Sequence, residues 1–178
     1  MKPHLALFDL DHTLINADSD NTWPQYLMQK GVVDAEFVRM KNDKFYQDYL
    51  NGCLDIDEFL QFQLAPLTRF SMEELADMHR EFTQAFILPH ISPMAKMLVQ
   101  SHRQTGDELL VISSTNEFII TPICHLFGIE NIIGTQLEIG ENGLTGREAC
   151  MKVLTFTYED LGRAIGSTST PSIFASGL

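Results

Sequence analysis

The chain has 178 residues, room for one domain or one domain with an inserted module, and its 44% hydrophobic content is enough for a real core. Acids outnumber bases 24 to 12, a net charge of −12, which argues against the basic face of a nucleic-acid or anionic-membrane binder. No signal peptide opens the chain, no run of about 18 apolar residues occurs, and Cys53, Cys124 and Cys150 lack C-x-x-C spacing, so reduced thiols in a cytoplasmic protein are expected.

Leu5 to Phe8 is an apolar run too short for a helix and without helical period, so a buried strand is predicted. It ends abruptly at Asp9. A polar exit, Asn16 to Asp20, leads into consecutive helical signals. Pro24 is read as the first residue of a helix stopped by Gly31. Asp34 caps a segment to Leu50, and Asn51-Gly52 closes it. Asp55 opens a helix ending near Pro66, and Ser71-Met-Glu-Glu74 is a capping box for another running to about Phe86. Phe37, Met40, Phe45, Phe59 and Phe62 are expected in the core of this helical block. Residues 17–88 carry no strand signal and read as an inserted helical cap.

After Pro89 an α/β pattern resumes, so residues 1–16 and 89–178 are assigned to one α/β core domain. Ser92-Pro93 starts a helix that stops before Gly106. Leu109 to Ile112 is a second buried strand, ending in Ser113-Ser-Thr-Asn116, and a helix then runs to Phe127. Ile129 to Ile133 is a third strand, and Gln136 to Thr145 a hairpin turning at Asn142-Gly143. Strand, crossover and strand imply a parallel sheet. Val153 to Tyr158 reads as a strand by its β-branched and aromatic content. Residues 166–178 are Ser/Thr-rich without period and are expected to be a disordered tail.

The chemistry concentrates at Asp9 and Asp11. Two acids at the C-terminal end of a buried strand stand where open α/β sheets bind ligands. Their mutual repulsion calls for a cation or a proton, and Mg²⁺ takes one or two carboxylates plus phosphate oxygens. The six histidines show no H-x-H or H-E-x-x-H spacing, so zinc is not expected.

The run Asp9-Leu-Asp11-His-Thr13, after a strand and before a helical insert, resembles the signature of the haloacid dehalogenase-like hydrolases. The phrase Val111-Ile-Ser-Ser-Thr-Asn-Glu-Phe-Ile119 and the insert resemble their phosphoserine phosphatase-like subgroup. The likeness covers roughly residues 4–150. It implies a Rossmann-like parallel-sheet core with an inserted helical cap, and a phosphatase rather than a dehalogenase. By this resemblance Asp9 is the nucleophile and Asp11 the acid and base. Mg²⁺ is held by Asp9 and by the Asp11 backbone carbonyl. The N–H groups of Leu10, Asp11 and Ser114 and the Ser113 hydroxyl cradle the phosphate.

Asp18 falls where the phosphoserine enzymes carry a glutamate for the substrate amine; it is equally well placed as a helix cap. Gln63 falls where those enzymes hold the serine carboxylate with an arginine, and glutamine offers no charged fork. A small phosphomonoester is the expected substrate, phosphoserine-like or an amino-alcohol phosphate, with Gln63 weakening phosphoserine itself. Lys152 is the lysine in range of the family's phosphate-binding position, and Asp160 the candidate for its late metal-binding acid. Both arrive too early for the family's spacing, and the pattern is lost after about residue 147, as a truncated or frame-shifted product would show. Two alternatives therefore stay open: a catalytically impaired phosphate-binding protein and a phosphotransferase. Nothing in the sequence specifies an oligomeric state.

Overall fold

The computed structural model describes residues 4–141, 143–150 and 173–175. Five strands form one sheet in the order β4-β3-β2-β1-β5. The first, β1 (Leu5–Phe8), is buried as its apolar run requires, and it pairs in parallel with β2 (Glu108–Asn116). β2 pairs in parallel with β3 (Asn131–Gly140), which turns back into the antiparallel β4 (Gly143–Cys150). The hairpin closes at Gly140 opposite Gly143, as the turn signal predicted, although Asn142 lies outside the described residues.

Two strand expectations change. β2 does not stop at Ile112. It continues to Asn116, and the Ser-Ser-Thr stretch stays extended because Asn116 itself caps the next helix, accepting from Ile119 N–H at 3.1 Å. The segment expected as a tail contains β5 (Ile173–Ala175), whose backbone pairs in parallel with Leu5 to Leu7 on the free side of β1. The expected strand at 153–158, like Lys152 and Asp160, lies outside the described residues.

Between β1 and β2 run α1 (Ser19–Gln29), α2 (Ala35–Leu50), α3 (Ile56–Leu64), α4 (Met72–Phe82) and α5 (Pro93–Gln104); α6 (Glu117–His125) joins β2 to β3. Asp34, Asp55 and Ser71 cap their helices as expected, and Ser71 and Glu74 form both bonds of the capping box. The Ser71 N–H and hydroxyl hold the Glu74 carboxyl below its usual range. The start of α1 differs from expectation. Asp18 caps it, accepting from Asn21 N–H at 2.9 Å, and Pro24 lies inside the helix rather than at its first position. The burial of Trp23, Tyr26 and Leu27, together with the cap, holds the helix across the proline. α4 ends at Phe82 and passes through a π-helical turn, Thr83–Ile87, toward α5.

One aromatic cluster ties α1, α4 and α6 together. The indole of Trp23 stacks on His79 at 5.8 Å between centroids and meets Phe82 and Phe118 edge-on at 4.9 and 5.4 Å. α2 and α3 form a separate hairpin around Phe45, which is buried and packs against Phe59 and Phe62. Phe37 and Met40, expected in that core, are exposed, and Phe37 keeps only an edge contact with Phe62 at 6.1 Å between centroids.

Candidate active site

The site is built on the loop that leaves β1. Phe8 pairs with Val111, so Asp9 stands one residue beyond the last pair and Ser113 two residues beyond it on the neighbouring strand. Both therefore lie at the C-terminal edge of the parallel strands. The loop folds back on the Leu10 carbonyl, which accepts from the N–H groups of Thr13, Leu14 and Ile15 at 3.2, 2.9 and 3.1 Å. His12, the motif's variable position, takes a left-handed φ of 56° and donates its N–H to Ala17 O at 3.1 Å. Among the described residues the loop's own backbone bonds do not use the N–H groups of Leu10 and Asp11. Those are the two expected to cradle an anion.

The two carboxylates are fixed differently. Asp9 is exposed, and its Oδ2 accepts from the Thr13 hydroxyl at 3.0 Å. Asp11 is half-buried, with both oxygens engaged: Oδ1 by Ser19 N–H at 2.7 Å and Oδ2 by the Thr115 hydroxyl at 3.0 Å. The Asp11 charge also reaches α6: burial pushes the Cys124 thiol up to about 12, and Asp11 adds to that push. Cys124 is therefore an inert packing residue.

Ser113 is 5% exposed and Thr115 6%. Ser113 Oγ accepts from Thr115 N–H at 3.1 Å, which leaves its hydroxyl proton to donate. Ser114 is exposed, and its carbonyl accepts from Thr135 at 2.8 Å; it sits within β2 rather than at the start of α6. A Cβ at Gly134 would come within 2.9 Å of the Thr115 carbonyl, so the bare glycine lets β3 approach at this point. Thr115 and Ser19 touch Asp11 directly, yet sequence reasoning singled out neither. The available signal was alternation: Thr115 shares the strand face of Ser113, two residues on.

Asp18, besides capping α1, lines a cavity of about 470 Å³ between α1, α2 and α3 that also includes Gln63. Ser19, the next residue, donates its N–H to Asp11, while neither Asp9 nor Asp11 lines this cavity.

The donor set of the acid pair is all oxygen. Among the described residues no group of three or more His, Cys, Asp or Glu is placed to hold a metal ion. A cation here would take one or two carboxylate oxygens and complete its shell with other oxygens, which fits Mg²⁺ and not a tetrahedral zinc.

The family model of the haloacid dehalogenase-like hydrolases matches residues 6–155. The chain belongs to this family. A histidinol-phosphatase of Neisseria meningitidis serogroup C (strain 8013) is 70% identical over 140 residues, which is 79% of this chain and 63% of that protein. A Streptomyces azureus protein described as inhibiting morphological differentiation is 26% identical over 78% of this chain and 50% of its own length. The chain thus spans less than two thirds of these curated relatives. Among solved structures, a Bordetella pertussis protein of unknown function superposes with a TM-score of 0.76 at 36% identity, over 83% of this chain and 67% of that one. A phospho-aspartyl intermediate analogue of phosphoserine phosphatase superposes with a TM-score of 0.58 at 17% identity, over 94% of this chain and 75% of that one, a likeness of fold. The haloacid dehalogenase-like signature is thus set in a phosphoserine phosphatase-like architecture.

Proposed function

We propose that this chain carries the reaction centre of a Mg²⁺-dependent phosphatase acting on a small amino-alcohol phosphate, histidinol phosphate being the leading candidate. The observation that carries the reading is the acid pair at the sheet edge: an exposed Asp9 aimed by Thr13, beside an Asp11 held through both oxygens. The name of the Neisseria relative and its 70% identity support the substrate. Free thiols at Cys53 and Cys124 suit the reducing cytoplasm.

An Asp9 oxygen attacks phosphorus in line, and the bond from phosphorus to the ester oxygen breaks. Asp11, protonated at this stage, gives its proton to the leaving alkoxide. The phosphoryl group now rests on Asp9. Asp11, as a carboxylate, takes a proton from water; the water oxygen attacks phosphorus, and the bond to Asp9 breaks to release inorganic phosphate. The N–H groups of Leu10 and Asp11 and the Ser113 hydroxyl bind the phosphoryl oxygens, with Ser114 N–H and Lys152 as further candidates. Asp9 and the Asp11 carbonyl would hold Mg²⁺, with Asp160 as a third ligand. A bound Mg²⁺ offsets charge on the phosphoryl oxygens. Residues 17–88 act as a cap that selects the leaving group and limits water.

The test is turnover of p-nitrophenyl phosphate and histidinol phosphate with and without Mg²⁺, beside Asp9→Asn. Turnover should require both the ion and Asp9. Wild-type turnover no faster than that of Asp9→Asn would overturn the reading.

A further inference from the structure

Side chains alternate along β2, so Ser113 and Thr115 share one buried face while Ser114 between them is exposed. Buried donors need partners, and Thr115 places both of its donors in the site. Its backbone N–H donates to Ser113 Oγ at 3.1 Å, and its hydroxyl donates to Asp11 Oδ2 at 3.0 Å. One residue thus holds both the group read as a phosphoryl ligand and the group read as the acid. Thr115 is itself braced. Branching at Cβ stiffens its χ1, and β3 approaches its carbonyl at Gly134, where a Cβ would come within 2.9 Å.

A donor beside a protonated oxygen also decides where that oxygen's own proton can go. Ser113 Oγ accepts from the Thr115 N–H, so its proton must point elsewhere. The same holds at Asp11 when it carries a proton. Its Oδ1 faces the Ser19 N–H at 2.7 Å, a group that only donates, so the acidic proton belongs on Oδ2. There the Thr115 hydroxyl takes one lone-pair direction and leaves the other for the proton. Among the described residues that hydroxyl has no other acceptor, so it keeps donating to Asp11. The terminal torsion of an aspartate is otherwise broad. Here two bonds from different elements, the start of α1 and the end of β2, fix the carboxyl plane.

Resting on the phosphatase reading above, we infer that Thr115 is a positioning residue which, by donating to both Ser113 and Asp11, turns their protons away from itself and toward the phosphoryl and leaving oxygens of the ester. In the first step the Oδ2 proton passes to the ester oxygen as its bond to phosphorus breaks and the bond from Asp9 to phosphorus forms. The Asp11 carboxylate left behind still accepts from Thr115 and Ser19. The two halves of the residue act separately, the backbone N–H on Ser113 and the hydroxyl on Asp11.

Thr115→Val keeps the first half and removes the second, so its loss should grow with the leaving group's need for a proton. Three esters grade that need: histidinol phosphate leaves as an alkoxide, phenyl phosphate as a phenolate, and p-nitrophenyl phosphate as a less basic phenolate. The readout is kcat/KM, which covers the steps through cleavage of the ester bond. Thr115→Val should lose about 10–100-fold on histidinol phosphate and about tenfold less than that on p-nitrophenyl phosphate, with phenyl phosphate between. Thr115→Ser restores the hydroxyl and should return all three esters close to wild type. Ser113→Ala removes a contact to phosphoryl oxygens that the esters share, and should lose equally on all three. Thr115→Ala repeats the comparison if the valine chain does not fold. Equal losses of Thr115→Val across the esters, a loss that serine does not restore, or a gradient as steep in Ser113→Ala would overturn the inference while wild-type turnover keeps the phosphatase reading in place. Absence of wild-type turnover on every ester would overturn that reading, and this inference with it.

Discussion

The loop after β1 and the α2–α3 hairpin are held by opposite means. The loop is fastened by polar bonds of fixed direction: three N–H groups on the Leu10 carbonyl, Thr13 on Asp9, Ser19 and Thr115 on Asp11. The hairpin is held by ring contacts around Phe45 and leaves Phe37, Tyr46 and Tyr49 exposed. Directional bonds to a sheet hold atoms to the fraction of an ångström that bond-making needs. Non-directional apolar packing tolerates adjustment. On the proposed reading, chemistry and choice of substrate then fall to regions with different physics.

The largest effect expected from breaking this division is at the nucleophile. Asp9→Asn preserves shape and the bond from Thr13 but removes the attacking charge. It should lower kcat on every ester by on the order of 10⁴-fold or more, read from initial rates. A substrate-dependent loss would show that the loop shares in recognition and would blur the contrast.

Next in size is Phe82→Ala. Phe82 is fully buried and meets Trp23, Tyr26 and His79, the cluster through which α1 and α4 are joined. Truncation should cost about 3–5 kcal/mol of unfolding free energy in urea titration. The matching cut in the hairpin, Phe45→Ala, should cost less, because fewer elements surround that ring. Equal losses would mean that the hairpin is as firmly built as the base beneath the site.

Thr115→Val tests whether direction matters at the acid pair. The methyl keeps the volume of the buried hydroxyl but gives Asp11 nothing to accept from. The expected result is a fall in kcat of about 10–100-fold with little change in KM, largely restored by Thr115→Ser. An unchanged kcat would reduce Thr115 to packing.

How much of this was legible beforehand follows the same division. The strand-plus-acids signature marks the loop because its chemistry is local: Asp9, Asp11 and Thr13 lie within five residues. The capping boxes and the hairpin turn are local too, and they were readable. Thr115 was not, because its importance comes from a bond across 104 positions of chain. Ser19 acts through its backbone N–H, which no side-chain pattern reports. Asp18 was expected either to cap a helix or to bind a cationic group of the substrate, and the structure shows the cap. The triplet at 173–175 hid in a Ser/Thr-rich stretch because three residues are too few to show a period.

The smallest effect is a slope rather than a step, and it belongs to His79. Burial holds its imidazole below the ordinary value of 6.5, although the Ile119 carbonyl at 2.8 Å from Nε2 pulls the other way. A histidine depressed in the fold binds fewer protons there than in the unfolded chain. Stability from the neutral ring is therefore fully present above about pH 6.5 and is lost as pH falls from there toward the folded value. Urea titrations between about pH 7.5 and about pH 5.5 should show wild type losing stability faster than His79→Gln, with the gap opening below about pH 6.5. Because Trp23 stacks on that ring and is the single tryptophan, its fluorescence should follow the same titration. Parallel stability curves for the two proteins would mean that His79 is not held neutral by the cluster, and that the base under the loop is wetter than its packing implies.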